Sequence, residues 1–156
     1  MDRFNRIINS TEYREILAEI AALEHDRIYC PHNFEHCADT ARIMYITALE
    51  KNIPISKEMI YTTAFLHDIG RKEQYKNSTP HEIASAKAAK SFLKEFSPKE
   101  RDMILVAISE HRRTDECSEL GDLLAYADAK SRMCLICKAA STCKWKKEDM
   151  NTEVLV

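Results

Sequence analysis

Glycine is scarce: two residues in 156. Folds built from tight β-hairpins spend glycine at positive-φ turn positions, so this scarcity excludes a hairpin-rich sheet protein. Ala, Leu, Ile, Lys and Glu recur instead, all good helix formers, and an all-α fold is expected. An excess of charge of one sign is also lacking. The formal net charge is −2, which leaves no broad basic surface for nucleic acid. No apolar run approaches bilayer-spanning length, and the opening MDRFNRIINS does not read as a signal peptide. A cytoplasmic location without a membrane partner is expected. Six cysteines without a secretion signal argue against a disulfide scaffold. They read as core thiols, metal ligands or a mixture of the two.

Apolar spacing and caps give a coarse helix map. Ile16, Ile20 and Leu23 form one stripe of a helix over about 11–24. Another helix begins near residue 34, and Asn52 and Pro54 close the segment that follows it. Ser56 caps a third, whose body MIYTTAFL is apolar on nearly every face and reads as a central buried helix. It ends at HDIG, where Gly70 is expected in the left-handed closing conformation. Thr79, Pro80 and Glu82 predict a capping box with proline at the first helical position. SPKE at 97–100 repeats that grammar for a helix reaching His111. A last helix covers about 118–132, and a short cysteine-bearing tail follows over 133–156. One domain of about five core helices plus this extension is the expected architecture.

Six polar residues sit in or beside apolar helices: His36, His67, Asp68, His81, His111 and Asp128. Buried carboxylates and imidazoles need partners. Each taken alone also fits a core or surface residue, and Asp128 alone fits a helix residue bonded to an arginine. Four histidines and two aspartates together suffice for two coordination spheres, with the two oxygens of Asp68 able to bridge. Mixed imidazole and carboxylate ligands suit iron, manganese, zinc or cobalt better than magnesium.

The order His36, His67–Asp68, Asp128 resembles the HD superfamily of metal-dependent phosphohydrolases, and HDIG is that family's common local form. FEHCADTARI is similar to its first-histidine helix, TAFLHDIGR to the central one and YADAKSR to the last. The similarity covers roughly residues 30–132. Members with two further histidines, here His81 and His111, hold two metals. The resemblance therefore implies one divalent ion among His36, His67, Asp68 and Asp128, and a second among Asp68, His81 and His111. Iron or manganese stand first, ahead of zinc, cobalt or nickel. It also implies hydrolysis of a nucleotide or other small phosphate ester by metal-activated water. No GYP follows, as the cyclic dinucleotide phosphodiesterases would have.

Such a site needs positive side chains at its mouth. Arg71 and Lys72 directly follow HDIG, and Arg132 lies one turn beyond Asp128; Lys130 and Arg112 come after them. Asp39, one turn after His36, either supports a ligand or pairs with Arg42. In the tail, Cys134 and Cys137 have CxxC spacing. With Cys143, and with Cys30, His32 or Cys117 as the fourth, they form a candidate structural zinc site. They equally read as small packing residues. Cys37 reads as a core thiol, and Trp145 as the residue that packs the tail on the body. Two other functions stay open: a di-iron oxygenase on the same ligands, and a non-catalytic nucleotide-binding domain that uses metal only to hold its helices.

Overall fold

The computed structural model describes residues 1–113 and 115–154; Thr114 and the last two residues of the extension lie outside these. Eight α-helices and three short 3-10 turns appear among the described residues, with no strand. The helices are α1 (Asp2–Asn9), α2 (Thr11–Leu23), α3 (Phe34–Glu50), α4 (Lys57–Leu66), α5 (Arg71–Asn77), α6 (His81–Ala89), α7 (Pro98–Glu110) and α8 (Glu119–Lys130). The fold is an all-α helical bundle with a short extension that carries cysteines. None of its helices is long and apolar enough to cross a membrane.

Helix α4 is the axis. Seven of its ten residues are buried, from Met59 to Leu66 with only Tyr61 excepted. It packs on α1, α3, α6, α7 and α8. Fully burying a side chain such as Ile60 or Leu66 contributes about 1.5–3 kcal/mol, so α4 carries much of the apolar stabilisation. Its C-terminal carbonyls are not left bare: the buried Tyr13 of α2 donates its hydroxyl to the Phe65 carbonyl at 3.0 Å. Ser56 accepts from Met59 N–H as the cap of α4. Ser97 and Glu100 form a reciprocal capping box on α7.

Two short helices, α1 and α5, lack a strong sequence signal. Helix α1 is held by Arg3. Its Nε donates to Glu58 at 2.9 Å, its two terminal nitrogens reach Glu100 at 3.1 Å each, and its guanidinium lies 4.0 Å from the Phe96 ring. Helix α5 follows HDIG without a break and makes the corner between α4 and α6.

Two expectations about helix ends fail. Gly70 has φ −82°, an ordinary right-handed value, and caps the N-terminus of α5. Its absent side chain matters for a different reason. A Cβ there would lie 2.3 Å from Ser85 N, 2.6 Å from His81 O and 2.7 Å from Ala84 C. Glycine is needed because the backbone of α6 passes directly over it, and its N–H donates to Ser85 Oγ at 2.8 Å. The left-handed turns fall on Asn52 and Ser78 instead. Nor does a capping box form at Thr79–Glu82. Pro80 sits at the cap position, before the first helical residue, and offers no side-chain acceptor; Thr79 turns back to bond Asn77.

Gly70→Ala keeps an accessible backbone conformation, so its whole cost is steric, at least about 1–3 kcal/mol. Urea unfolding is expected to show a lowered midpoint with an unchanged slope. A second outcome concerns acid. Burial opposes the Glu58 charge, but Arg3, the Phe4 N–H and the chain amino group outweigh it and hold the carboxyl at about 2, against 4.5 when free. Glu100 is likewise held at about 2, by Arg3 and Ser97. A carboxyl depressed on folding stabilises the fold above its free value, and that contribution is lost as pH falls towards the folded value. The melting temperature should therefore drop between about pH 4.5 and 2, and Arg3→Met should flatten the drop.

Candidate metal centre

Five elements deliver six side chains to one buried point. His36 comes from the first turn of α3, His67 from the C-terminal cap of α4, and Asp68 from the residue after it. His81 opens α6, His111 closes α7 and Asp128 lies in the last turn of α8. Three overlapping sets have ligand atoms within 4.8 Å of one another: His36, His67 and Asp68; His67, His111 and Asp128; Asp68, His81 and His111. None of the sets includes a cysteine.

Asp68 divides its two oxygens. Oδ2 faces His67 Nε2 at 3.1 Å and His36 Nε2 at 3.4 Å; Oδ1 faces His81 Nε2 at 3.5 Å. Arg71 Nε donates to Oδ1 at 2.8 Å and fixes the plane of the carboxylate. Asp128 Oδ1 lies 3.4 Å from His36 Nε2 and 3.9 Å from His67 Nε2.

The imidazoles are turned by their other nitrogen. His67 Nδ1 meets the Ala64 carbonyl at 2.6 Å, and His111 Nδ1 meets the Ile108 carbonyl at 2.7 Å. A carbonyl only accepts, so each Nδ1 carries the hydrogen and each Nε2 presents a lone pair. His36 Nδ1 is made a donor in the same way, through Ser131. The Ser131 hydroxyl donates its one hydrogen to the Asp128 carbonyl at 2.9 Å, so it accepts from His36 Nδ1 at 3.0 Å. Ser131 is a supporting residue the sequence reading missed, and its only signal is its place three residues after Asp128.

The Nε2 atoms of His36, His67, His81 and His111, with Asp68 Oδ2, are buried and have no hydrogen-bond partner among the described residues. Buried polar atoms are otherwise almost always satisfied. Five such atoms converging at one point fit divalent cations, as does the donor chemistry of imidazole lone pairs and carboxylates. Electrostatics agree. Burial opposes the Asp68 charge, yet His67, Arg71 and His36 hold its carboxyl well below the usual range. Asp128 is likewise low, with His36 and His67 outweighing burial. Burial pulls His81 down to about 3 and also lowers His111, so both rings are neutral. His36 is the exception: despite burial, Asp128 and Asp68 raise it to about 9, so its Nε2 holds a proton that a bound cation would displace.

The other sequence candidates fall into place around this centre. Arg132 Nη2 lies 3.6 Å from Asp128 Oδ2, and its guanidinium stacks 3.7 Å above the Trp145 ring. Arg71 and Arg132, with Arg112, line a cavity of about 330 Å³. Lys72 does not line it and pairs with Glu19 of α2 at 3.1 Å. Lys130 is also outside that lining. Asp39 pairs with Arg42 at 2.9 Å on the surface of α3. His32 is bound to the half-buried Glu24, which also takes the Tyr75 hydroxyl. Cys37 is buried in the core, and burial pushes its thiol up.

Cys30, Cys134 and Cys143 line the arginine-rich cavity, and Cys137 faces an adjoining groove. The tail has other fastenings. Asn151 Nδ2 shares its hydrogens among the carbonyls of Ala129, Lys130 and Arg132 at 2.9–3.1 Å. Tyr29 donates its hydroxyl to the Thr142 carbonyl at 3.0 Å. These contacts, with the Arg132–Trp145 stack, hold the extension in the place where the sequence suggests a structural zinc.

A helical bundle that gathers four histidines and two aspartates around one buried point has the donor set of a metal site. The HD domain family model matches residues 33–140. The chain is 42% identical over 157 residues to an uncharacterized protein of Clostridium beijerinckii, with 99% of each chain covered. No solved structure matches. The chain belongs to the HD domain family.

Removing a ligand on one side should subtract one ion. His111→Ala is expected to lower bound divalent metal from two equivalents to about one by elemental analysis. Asp68→Ala should abolish both, because both ions would share its carboxylate.

Proposed function

We propose that this chain is a metal-dependent phosphohydrolase acting on a small phosphate ester, with the full chain as one functional unit. The observation that carries this reading is the division of Asp68. Its two oxygens face different histidines while the lone pairs around it are unpartnered. His36, His67, Asp68 and Asp128 would hold one divalent ion, and Asp68, His81 and His111 the other. Iron or manganese suits these donors, with zinc, cobalt and nickel as alternatives. Divalent ions in such a site make water acidic near neutral pH and neutralise charge building on phosphoryl oxygens.

The chain's own groups do the positioning. Arg71 holds Asp68 so that both oxygens stay directed at the centre. Arg132 is anchored by Asp128 and Trp145, and its Nη1 is buried without a partner beside the cavity. That donor is suited to a phosphoryl oxygen. A second groove of about 350 Å³ shares Arg132, Tyr29 and Cys30 with the first and is lined by Ile28, Met133 and Ile136. It offers an apolar seat for the organic part of an ester. His36 lines the same groove, so an ester lying there has its phosphorus end near the centre.

Protein purified without oxygen and reconstituted with iron, manganese or cobalt is expected to release phosphate from a panel of monoesters and diesters. Asp68→Ala should fall to background, and Arg132→Met should lose about 10²–10³-fold in kcat. Silence of the whole panel in all three metals would overturn the reading. Oxygen uptake in its place would give the centre an oxidative role.

A further inference from the structure

We propose that the C-terminal extension builds a second anion site beside the metal centre, and that the substrate carries two phosphoryl groups. This deepens the phosphohydrolase reading, and it rests on that reading for the placement of the first phosphoryl group. The cavity of about 330 Å³ lies between the bundle and the tail. Its lining includes Arg71, Arg112, Arg132, Thr142, Lys144 and Trp145. Thr142, Lys144 and Trp145 lie beyond the segment matched by the HD domain. The tail contacts described above seat them there.

The charges at this cavity do not cancel. Asp68 is answered by Arg71, and Asp128 by Arg132. Arg112 and Lys144 are exposed and have no carboxylate partner among the described residues. Arg112 and Lys144 line the same cavity as Arg132. A cluster of like charges around one cavity suits an anion, which turns mutual repulsion into charge-assisted hydrogen bonds.

Arg132 shows how two groups would be shared. Its flat face is taken by Trp145 and one edge by Asp128, which leaves Nη1 as a buried donor without a partner. One phosphoryl group at the centre would use Arg71 and Arg132. A second would take Arg112 and Lys144. A single phosphate would leave the outer cations unanswered.

Trp145 is the only tryptophan, so its fluorescence reports on this cavity. The test uses the full chain loaded with manganese and three probes: methylphosphonate, methylenediphosphonate and 1,3-propylenediphosphonate. Affinity is read by Trp145 fluorescence and by calorimetry. In the wild type, at least one diphosphonate is expected to bind about tenfold or more tightly than methylphosphonate, the scale of one added charge-assisted contact. The preferred diphosphonate gives the spacing of the two groups.

Arg112→Gln with Lys144→Gln should erase that advantage and leave methylphosphonate affinity unchanged. Both residues are exposed, so the fold is not at stake, and methylphosphonate serves as the internal control. Equal affinities in the wild type would overturn the proposal. So would an advantage that survives in the double variant, since chelation by the metals alone would then explain it. A diphosphonate advantage without phosphate release from any ester keeps this subsite and removes the hydrolytic reading. Ester hydrolysis without the advantage does the reverse.

Discussion

The constraint on which the molecule turns is the burial of an ionised carboxylate at the end of its most apolar helix. Asp68 follows directly after α4 and is 2% exposed. A charge taken out of water is expensive unless it is paired and hydrogen-bonded. Everything around Asp68 answers that cost. Arg71 approaches one oxygen from the next helix, three histidines approach from α3, α4 and α6, and Asp128 completes a ring whose cationic partner is Arg132. The bundle is arranged so that five elements end, or begin, at this point. The two joints needing the closest approach are the two places where the sequence has glycine. Gly70 lets α6 pass over the HDIG corner, and Gly121 admits the buried side chain of Glu110 at the α7–α8 turn.

Much of this was legible in the sequence because the signals were local. The caps at Ser56 and Ser97 and the all-round apolar body of α4 depend on neighbours within one or two helical turns. The six metal-binding candidates were visible as polar residues in apolar company, and HDIG as a short ordered motif. The structure brings all six together.

What escaped depends on contacts distant in sequence. Helix α1 is held to Glu58 and Glu100 by one arginine, across separations of 55 and 97 residues. Ser131 supports His36 from 95 residues away. Gly70 looked like a helix terminator because glycine commonly is one. Its real constraint, the backbone of α6, lies in space and not in the chain. The expected capping box at Thr79 failed for a local reason instead: the tight turn from α5 draws Thr79 towards Asn77. Lys72 stood next to a functional motif, yet the helix carries it round to Glu19. Adjacency in sequence is a poor guide to direction on a helix.

His67 and His111 each cap the C-terminus of a helix and bond the carbonyl three residues before them. The tilt of each ring is thus tied to its own helix. If α4 and α7 slide against each other, the rings travel as rigid fittings on the ends of two rods. The distance between them changes, but the direction of each lone pair within its own helix does not. The centre would behave as a gauge of helix spacing. A change in packing far along α7 would be felt as a change in the separation between the two halves of the centre, with each half still correctly faced.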